Sequence, residues 1–466
     1  MAERVGSGAD SELVVVSNRL PVTRSRRGRG DEWDLSPGGL VSALTPVLQK
    51  RASTWVGWPG PGASAPRHLE SHGIQLRPVQ LTRSQVEGYY EGFSNRTIWP
   101  LYHDAVRPAE YHRPWWAAYV DVNRRFAEAA ADEAAPGAIV WVHDYHLQLL
   151  PRLLRERRPD LRIGFFLHIP FPPQELFAQI PWRRQILEGL LGADVVGFQT
   201  VVGARNFAVL CRRYAAAEGT RDELHLHGRT SRIGAFPISI DTEQFHRVAA
   251  APETARRARE FRERLGRPQR VLLGVDRLDY TKGIDLRLLV FAELLREKRI
   301  DPRSCVLVQV AVPSREAVPE YLALRNEVER LVGSINGEFG EVGRAPVHYL
   351  HRGFSMPELV ALYRAADVML VTPVRDGMNL VAKEYVASRV DERGVLVLSE
   401  LTGAAHELRA ALQVNPYDVE GLKDAVLQGL AMPELEQARR ISALRRTIER
   451  NTVHAWARTF LEGLAD

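Results

Sequence analysis

The sequence predicts an α/β protein with two doubly wound domains, each built around a parallel β-sheet. Short runs of β-branched and other apolar residues recur along the chain, and most are apolar on both faces, as in strands covered on both sides. Amphipathic helical stretches such as residues 284–298 alternate with these runs. Eleven strand candidates are too many for one domain of ordinary size, so we expect two.

The strand candidates fall into two series. The first series occupies residues 13–19, 54–58, 138–144, 162–170, 194–199 and 232–240. The second series occupies residues 270–278, 305–313, 347–354, 367–374 and 394–400. The first series ends near residues 237–245, and a charged helical segment follows it. This break between the two series predicts domains over 1–240 and 241–450. The last residues, 451–466, predict an amphipathic helix.

Composition excludes several classes of protein. Of the 466 residues, 45% are apolar and 26% are charged, which is ordinary for a globular protein and excludes a disordered or fibrous chain. No apolar run reaches the roughly 18 residues that a membrane span needs, and the polar N-terminus shows no signal peptide. Only Cys211 and Cys305 are present, so we expect no disulfide framework and predict a cytoplasmic protein without membrane contact.

The net charge of +5 raises the question of a nucleic-acid partner. The 62 basic residues are distributed among 57 acidic ones, and no basic patch with interleaved aromatic residues occurs. We therefore expect no nucleic acid. The excess of positive charge is more typical of a protein that attracts a small anionic substrate.

Polar side chains collect at strand ends in both halves of the chain. In open α/β sheets ligands bind beyond the carboxyl ends of the strands. The residues at such positions are Asn18, Arg19, His143, Asp144, His146, His168, Arg277, Asp279, Lys282, Arg315, Asp376, Gly377 and Asn379. No run of acidic residues near Arg19 or Arg315 explains either as a surface ion pair. The pattern predicts a ligand cleft between two domains.

The segment 277–283, RLDYTKG, follows the first strand of the second series. Its Arg277 and Lys282, placed before a glycine and a helix, match a clamp for a diphosphate. The alternative is a surface turn with solvated charges. Only five lysines occur in the chain, and Lys282 and Lys383 both fall beside strand-end turns, which favours the clamp.

The segment 371–385, VTPVRDGMNLVAKEY, combines a strand, a glycine turn and a helix. The N–H groups at the helix start, around 379–381, suit an anion. Asp376 suits the hydroxyls of a donor sugar, and Glu384 suits those of a ribose. The alternative is that Asp376 only caps the helix.

The segment 142–146, VHDYH, contains residue types that bind metals. Its spacing on a strand-to-helix turn does not converge three side chains, and neither an HExxH nor a paired-cysteine pattern occurs. We therefore expect no metal and favour a site that binds sugar hydroxyls. His168 alone would be interpreted as structural, but its position at a strand end favours a role in the same site.

Motifs of other enzyme classes are absent from the sequence. Neither a G-x-S-x-G elbow nor a P-loop occurs, so hydrolases and P-loop kinases lack support. The first strand is followed by NRLPV and not by a G-x-G-x-x-G pattern, which argues against a nicotinamide enzyme.

Seven motifs together resemble the trehalose-6-phosphate synthases, the retaining glycosyltransferases of family GT20. They are VVVSNRLP, SPGGL, YYEGFSNRTIWP, VHDYHLQLLP, GFFLHIPFP, RLDYTKG and VTPVRDGMNLVAKEY. The resemblance implies a GT-B fold, in which two Rossmann-like domains face each other across a cleft. The domain 1–240 would bind the acceptor, the domain 241–450 would bind the nucleotide sugar, and the helix 451–466 would return to the first domain. The basic loop 25–34 varies in length among relatives, so its contacts stay undefined.

The resemblance also implies roles for individual residues. The donor-binding set is Gly38, Gly39, His168, Arg277, Lys282, Phe354, Asp376, Met378, Asn379, Leu380, Val381 and Glu384. The acceptor-binding set is Arg19, Tyr90, Trp99, Asp144 and Arg315, in which Asp144 binds sugar hydroxyls and the others bind a phosphate. The residues assigned to catalysis are Arg277, Lys282, His168 and Asp144.

The implied reaction joins glucose from UDP- or GDP-glucose to glucose 6-phosphate with retention, giving α,α-trehalose 6-phosphate without a metal or other cofactor. One rival is a transferase of the same fold that uses a glycerol phosphate or a cyclitol phosphate; the intact acceptor set argues against it. Another is a non-catalytic regulatory subunit, and Arg277, Lys282 and Glu384 argue against that. The sequence leaves open the donor base and whether the chain forms a homo-oligomer.

Overall fold

The structure is a computed structural model that describes residues 11–27, 30–35, 41, 44, 48, 52–61, 63, 65–104, 106–316 and 318–465. The chain divides into two compact units, Met1–Ile238 with His454–Asp466, and Ser239–Val453. The boundary predicted from the sequence, after residue 240, lies close to this division. No helix in the described part of the chain is both long enough and apolar enough to cross a membrane.

The first unit is built on a sheet that has ten strands within its described residues. The strands of the unit are β1 (Ser11–Arg19), β2 (Val22–Arg27), β3 (Gly30–Leu35), β4 (Ser53–Trp58), β5 (Leu69–Ser71), β6 (Ile74–Pro78), β7 (Ala134–His143), β8 (Arg162–Phe166), β9 (Val195–Phe198), β10 (Glu218–Gly219), β11 (Glu223–Leu226) and β12 (Arg229–Ala235). The sheet order is β10-β11-β12-β9-β8-β7-β1-β4-β6-β5, and β2 and β3 form a separate hairpin.

Helices connect these strands. They are Arg83–Gln85, the wide-turned π-helix Val86–Ile98, Trp99–Tyr102, Arg113–Glu133, the 3₁₀ turn Tyr145–Leu147, Leu150–Arg157, Gln174–Phe177, Arg183–Leu190, Val201–Tyr214 and the C-terminal helix Val453–Ala465. The central strands are covered on both faces, and residues 13–16 of β1 have no exposed surface.

The second unit has a sheet of six parallel strands among its described residues. They are β13 (Arg270–Arg277), β14 (Cys305–Val312), β15 (Val347–Leu350), β16 (Val368–Val371), β17 (Val395–Ser399) and β18 (Leu412–Val414), in the order β15-β14-β13-β16-β17-β18. The helices are Thr242–Ala250, Pro252–Arg264, Tyr280–Lys282, Ile284–Arg296, Pro319–Phe339, Met356–Ala365, Leu380–Ser388, Gly403–His406, Val419–Ala431 and Glu434–Arg450.

Each sheet reverses its strand order once. In the first unit the order turns between β1 and β7, and in the second between β13 and β16. The crevice beyond the carboxyl ends of the strands at such a reversal is where doubly wound sheets bind ligands. The loops after β1, β7, β13 and β16 are therefore the positions at which functional side chains are expected.

The predicted fold class is confirmed, since all eleven predicted strands are present and parallel. Several predicted strand ends were wrong. The strand predicted over 162–170 ends at Phe166, and the one predicted over 232–240 ends at Ala235. Pro237 follows Ala235 closely, and a proline has no N–H group with which to extend a ladder. After Phe166, the His168 N–H donates to the Asp144 carboxylate and not to a neighbouring strand.

The interpretation of residues 25–34 as a loop was wrong over most of its length. The strands β2 and β3 pair antiparallel there, with Val22 opposite Leu35 and Arg27 opposite Gly30. The alternation of charged and apolar side chains is weak in this hairpin, and that is why its sequence did not indicate strands. Residues 28–29 lie outside the described residues.

The C-terminal helix packs on the sheet of the first unit. The Phe460 ring stacks on Trp141 with centroids 4.6 Å apart, and Trp456 donates an indole N–H to the Phe236 carbonyl at 3.1 Å. A Cβ at Gly164 would lie only 2.6 Å from Phe460, and one at Gly197 only 2.7 Å. These two glycines therefore make room for the helix.

Candidate active site

The reversal point of the first unit brings His143, Asp144 and His168 together. Asp144 follows β7 with a positive φ of 73°, and its N–H donates to the Phe166 carbonyl at 2.8 Å. The Asp144 carboxylate accepts a hydrogen bond from the His168 N–H at 3.2 Å. This contact fixes the loop after β8 to the loop after β7.

The rings of His143 and His168 are in direct contact, with 3.1 Å between His143 Nδ1 and His168 Nε2. Burial lowers the pKa of His168 to about 3 and also lowers that of His143 well below its usual value. Both imidazoles are therefore neutral at physiological pH, and one donates a hydrogen bond to the other. His143 turns toward His168, whereas His146 stacks on Tyr90 at 5.9 Å, so the VHDYH side chains do not converge.

A continuous series of stacked and edge-on contacts joins the predicted acceptor residues of the first unit. The Arg19 guanidinium lies 4.8 Å from the Trp58 ring, and Tyr90 meets that ring edge-on at 5.6 Å. Beyond Tyr90 the series continues through His146, Tyr145 and Trp99, with centroid separations of 5.9, 3.8 and 5.6 Å. Burial lowers the pKa of Arg19, but a guanidinium keeps its charge over the physiological range.

Glycine at position 60 allows Arg19 to take this place. Gly60 has a φ of 111°, and a Cβ there would lie 2.4 Å from Arg19 Nη2. Tyr90 comes from the π-helix Val86–Ile98, a rare geometry that is often found at functional sites. Gly88 and Gly92 of that helix lie against the helix Arg113–Glu133, where a Cβ would come within 2.7 Å of Ala118 and 2.5 Å of Trp115.

In the second unit, Lys282 and Asp376 meet at the reversal point between β13 and β16. Lys282 Nζ donates to the Asp376 carboxylate at 2.6 Å, and the two side chains are 9% and 16% exposed. The interpretation of 277–283 as a turn of solvated charges is therefore wrong for Lys282. Gly283, with a φ of 62°, ends the turn, and a Cβ there would lie 2.6 Å from the Thr372 carbonyl oxygen.

The helix Leu380–Ser388 begins beside this pair. Asn379 caps the helix, since its side-chain oxygen accepts from the Ala382 N–H at 3.1 Å, and its amide donates to Asp376 at 3.0 Å. The alternative in which Asp376 caps the helix is therefore wrong. Met378 is buried beneath the turn. The N–H groups of Leu380 and Val381 belong to the first helical turn, where they have no partner within a helix.

Glu384 lies one turn farther along this helix. Burial raises the pKa of Glu384, and the Tyr363 hydroxyl, which donates to it at 2.8 Å, acts in the opposite direction. Arg277 ends β13 with an exposed side chain. In sequence, the exposed Arg277 precedes the Lys282–Asp376 pair, and the Glu384 carboxylate follows it.

Arg315 differs from the sequence-based expectation, which found no run of acidic residues that would pair with it. Its guanidinium pairs with the fully buried Asp279 at 3.1 Å and also contacts the Tyr321 hydroxyl. These partners come from the loop after β13 and from the helix Pro319–Phe339, so the lack of an acidic run near Arg315 in sequence was misleading. Arg315 is only 5% exposed and has a φ of 52°.

Phe354 is the predicted donor residue that follows β15. It lines a cavity of about 490 Å³ together with the helix Pro252–Arg264, and the Arg352 guanidinium stands 4.4 Å from its ring. Gly38 and Gly39 lie outside the described residues.

Comparison with known proteins shows the family of the chain. The model described as Glycosyltransferase family 20 matches residues 11–466. The chain belongs to glycosyltransferase family 20. The curated trehalose-6-phosphate synthase of Mycolicibacterium vanbaalenii is 56% identical, with 99% of this chain and 97% of that relative covered.

Solved structures of trehalose-phosphate synthases support the fold described for this chain. A UDP-forming α,α-trehalose-phosphate synthase from Burkholderia vietnamiensis matches with a TM-score of 0.90 and 36% identity, covering 98% of this chain and 97% of that one. The Burkholderia xenovorans enzyme in complex with glucose 6-phosphate gives 0.89 and 34%, covering 97% and 100%. The family 20 chain is thus a transferase with the GT-B fold.

The structure also shows functional neighbours in this family 20 enzyme that sequence reasoning missed. Trp58 supports Arg19, Tyr363 orients Glu384, and Tyr321 and Asp279 hold Arg315. Asp279 had been noted only for its position at a strand end. Trp58 ends β4, which is the next strand to β1, so its position beside the reversal point was the one signal that could have found it.

Proposed function

We propose that this enzyme transfers a glucosyl group from UDP-glucose to glucose 6-phosphate and forms α,α-trehalose 6-phosphate with retention of configuration. The observation that carries the proposal is the Lys282–Asp376 contact at the start of a capped helix, on the reversal point of the second sheet. A nucleotide sugar needs cations and N–H groups for its diphosphate and a carboxylate for its sugar hydroxyls, and this site offers all three. The names of the relatives support the same substrates.

On the donor side, Lys282 and Arg277 neutralise the diphosphate, and the N–H groups of Leu380 and Val381 bind its oxygens. The Asp376 carboxylate accepts hydrogen bonds from the glucose hydroxyls, and the Asn379 amide donates to them. Glu384 holds the ribose, and the Tyr363 hydroxyl fixes the orientation of that carboxylate. These charges stabilise the diphosphate as it leaves, which is the largest demand of a glycosyl transfer.

Retention is explained by a front-face reaction. The bond between glucose C1 and the diphosphate oxygen breaks, and the acceptor O1 bonds to C1 from the same face. The acceptor's hydroxyl proton passes to the departing diphosphate, so the reaction needs no protein base. His168 suits this scheme because it is neutral and offers a hydrogen bond without adding charge.

On the acceptor side, the aromatic series of the first unit offers Arg19, Tyr90 and the Trp99 indole to a phosphate, and Asp144 offers a carboxylate to sugar hydroxyls. The resemblance to the family assigns Arg315 to phosphate binding as well. Charge-assisted hydrogen bonds of this kind are about twice as strong as neutral ones. The names of the relatives favour glucose 6-phosphate over a glycerol phosphate or cyclitol phosphate.

The proposal is tested with a panel of UDP-, GDP- and ADP-glucose, each with glucose 6-phosphate as acceptor. We expect the highest kcat/KM with UDP-glucose, and a product whose two anomeric protons both show the small coupling of an α-linkage by NMR. A β-linked glucose in the product would contradict retention. A higher kcat/KM with GDP- or ADP-glucose than with UDP-glucose would contradict the donor assignment but not the acceptor assignment.

A further inference from the structure

We propose that Asp279 is a positioning residue that fixes the acceptor-phosphate cation Arg315 and the Lys282 turn of the donor clamp in one arrangement. The proposal rests on the function proposed above, which supplies the roles of Arg315 and Lys282. Asp279 itself has no exposed surface, so it acts through these neighbours and not on a substrate.

The two carboxylate oxygens of Asp279 serve different partners. Oδ1 accepts from the Thr281 N–H at 3.0 Å and from the Thr281 hydroxyl at 2.9 Å. Oδ2 accepts from Arg315 Nη1 at 3.1 Å and from the Tyr321 hydroxyl at 3.2 Å. One oxygen therefore shapes the turn that carries Lys282, and the other holds the guanidinium of Arg315.

The Thr281 side of the carboxylate extends directly to the donor clamp. The Lys282 N–H donates to the Asp279 carbonyl at 3.0 Å, and the Val374 N–H donates to the Thr281 carbonyl at 2.8 Å. The turn is thereby joined to the segment after β16, which carries Asp376. A shift of the Asp279 side chain would move the Lys282 ammonium relative to Asp376.

Electrostatics keeps this link intact over a wide pH range. Burial opposes ionisation of Asp279, but the charges of Arg315, Arg277 and Lys282 outweigh it and hold the pKa of the carboxyl at about 2. A permanent buried anion facing three cations keeps them close together, although their charges repel each other. Replacing the anion by a neutral group of the same shape is therefore a specific test.

Asp279→Asn retains an oxygen for Thr281 but presents its NH2 group to Arg315, and this group cannot accept a hydrogen bond from the guanidinium. We expect kcat/KM with glucose 6-phosphate to fall by about 10- to 100-fold, chiefly through a higher KM for that acceptor. The KM for UDP-glucose should change less. Use of unphosphorylated glucose should change little, so the preference for the phosphorylated acceptor shrinks.

Asp276→Asn is the matched control. Asp276 lies in β13, the strand just before Asp279, and its buried carboxylate pairs with Arg287 at 2.7 Å. This substitution should lower Tm but leave the preference for glucose 6-phosphate over glucose unchanged. If Asp279→Asn behaves in the same way, Asp279 is only structural and the proposal is overturned. If the wild type does not distinguish the two acceptors, the proposed function has failed instead.

Thr281→Val provides a second variant should Asp279→Asn not fold. It removes one hydrogen bond from Oδ1 and leaves the Arg315 pair untouched. We expect kcat to fall several-fold at an unchanged KM for glucose 6-phosphate. Tyr321→Phe removes one partner of Oδ2, so it should raise that KM without lowering kcat. Equal effects of the two variants on both parameters would contradict a division of labour between the two oxygens.

Discussion

At the scale of single residues, we propose that Lys282 carries the charge that matters most as the glycosidic bond breaks. It is 9% exposed and lies 2.6 Å from Asp376, so its position is fixed before any substrate binds. Removal of one such preorganised charge typically lowers the rate by ~10²–10³. We expect Lys282→Ala to lower kcat by that factor at saturating UDP-glucose and glucose 6-phosphate, in a protein that still folds. Lys298→Ala, at an exposed lysine of the same unit, is the control and should retain wild-type kcat. Near-normal turnover in a folded Lys282→Ala protein would contradict the role.

The lowered pKa of His168 predicts how the stability of the protein depends on pH. Its pKa is lowered to about 3 in the folded protein, whereas an unfolded histidine titrates near ~6.5. Between these values the unfolded chain binds more protons, so stability is lost as the pH falls below about 6.5. We expect Tm to drop between pH 7 and pH 5, and the drop to be smaller in His168→Gln. The same slope in both proteins would show that His168 is not held neutral.

The sequence could predict which side chains lie close together when each of them follows the end of a parallel strand. Lys282, Asp376 and Asn379 were found in this way, because the carboxyl ends of parallel strands meet at one edge of the sheet. Tyr363 and Tyr321 were not found, because they come from helices and reach the site only through packing. Asp279 was noted only for its position, since the pairing with Arg315 joins residues 36 positions apart.

At the scale of elements, the docking of the C-terminal helix depends on two glycines in the sheet. A Cβ at Gly164 would lie 2.6 Å from the Phe460 ring and 2.7 Å from Leu464. Overpacking of this kind typically costs about 1–3 kcal/mol. We expect Gly164→Ala to lower the free energy of unfolding by that amount in urea titrations.

Gly463→Ala, in the same helix, is the control for this prediction. A Cβ at Gly463 meets no atom within 4 Å, and alanine is the better helix former by about 0.5–1 kcal/mol. This variant should be as stable as the wild type or more stable. If Gly164→Ala were equally stable, the helix would not be held against the sheet as described.

Element prediction from the sequence worked where burial imposes a simple pattern. Eleven of the parallel strands in the two sheets were found, since most of them are apolar on both faces. The strands β5, β6, β10, β11 and β18 and the hairpin β2–β3 were missed, since such short segments carry no such pattern. The π-helix Val86–Ile98 was also missed, because its geometry depends on close packing at Gly88 and Gly92 rather than on a hydrophobic period.

At the scale of the whole molecule, we propose that catalysis needs no divalent metal. Arg277, Lys282 and the start of the helix Leu380–Ser388 together supply the positive charge that a diphosphate leaving group requires. Activity with UDP-glucose and glucose 6-phosphate should therefore survive an excess of chelator. A strict requirement for magnesium would mean that these groups do not suffice.

The central proposal is that the enzyme recognises the phosphate of its acceptor through cationic side chains. Losing several kcal/mol of charged contacts should make glucose a poorer acceptor by a factor of ~10³ or more. The most direct test is therefore the ratio of kcat/KM for glucose 6-phosphate to that for glucose, with UDP-glucose as donor. We predict a ratio of about 10³ or higher for the wild type. Equal use of the two acceptors would contradict both the phosphate site and the assigned reaction.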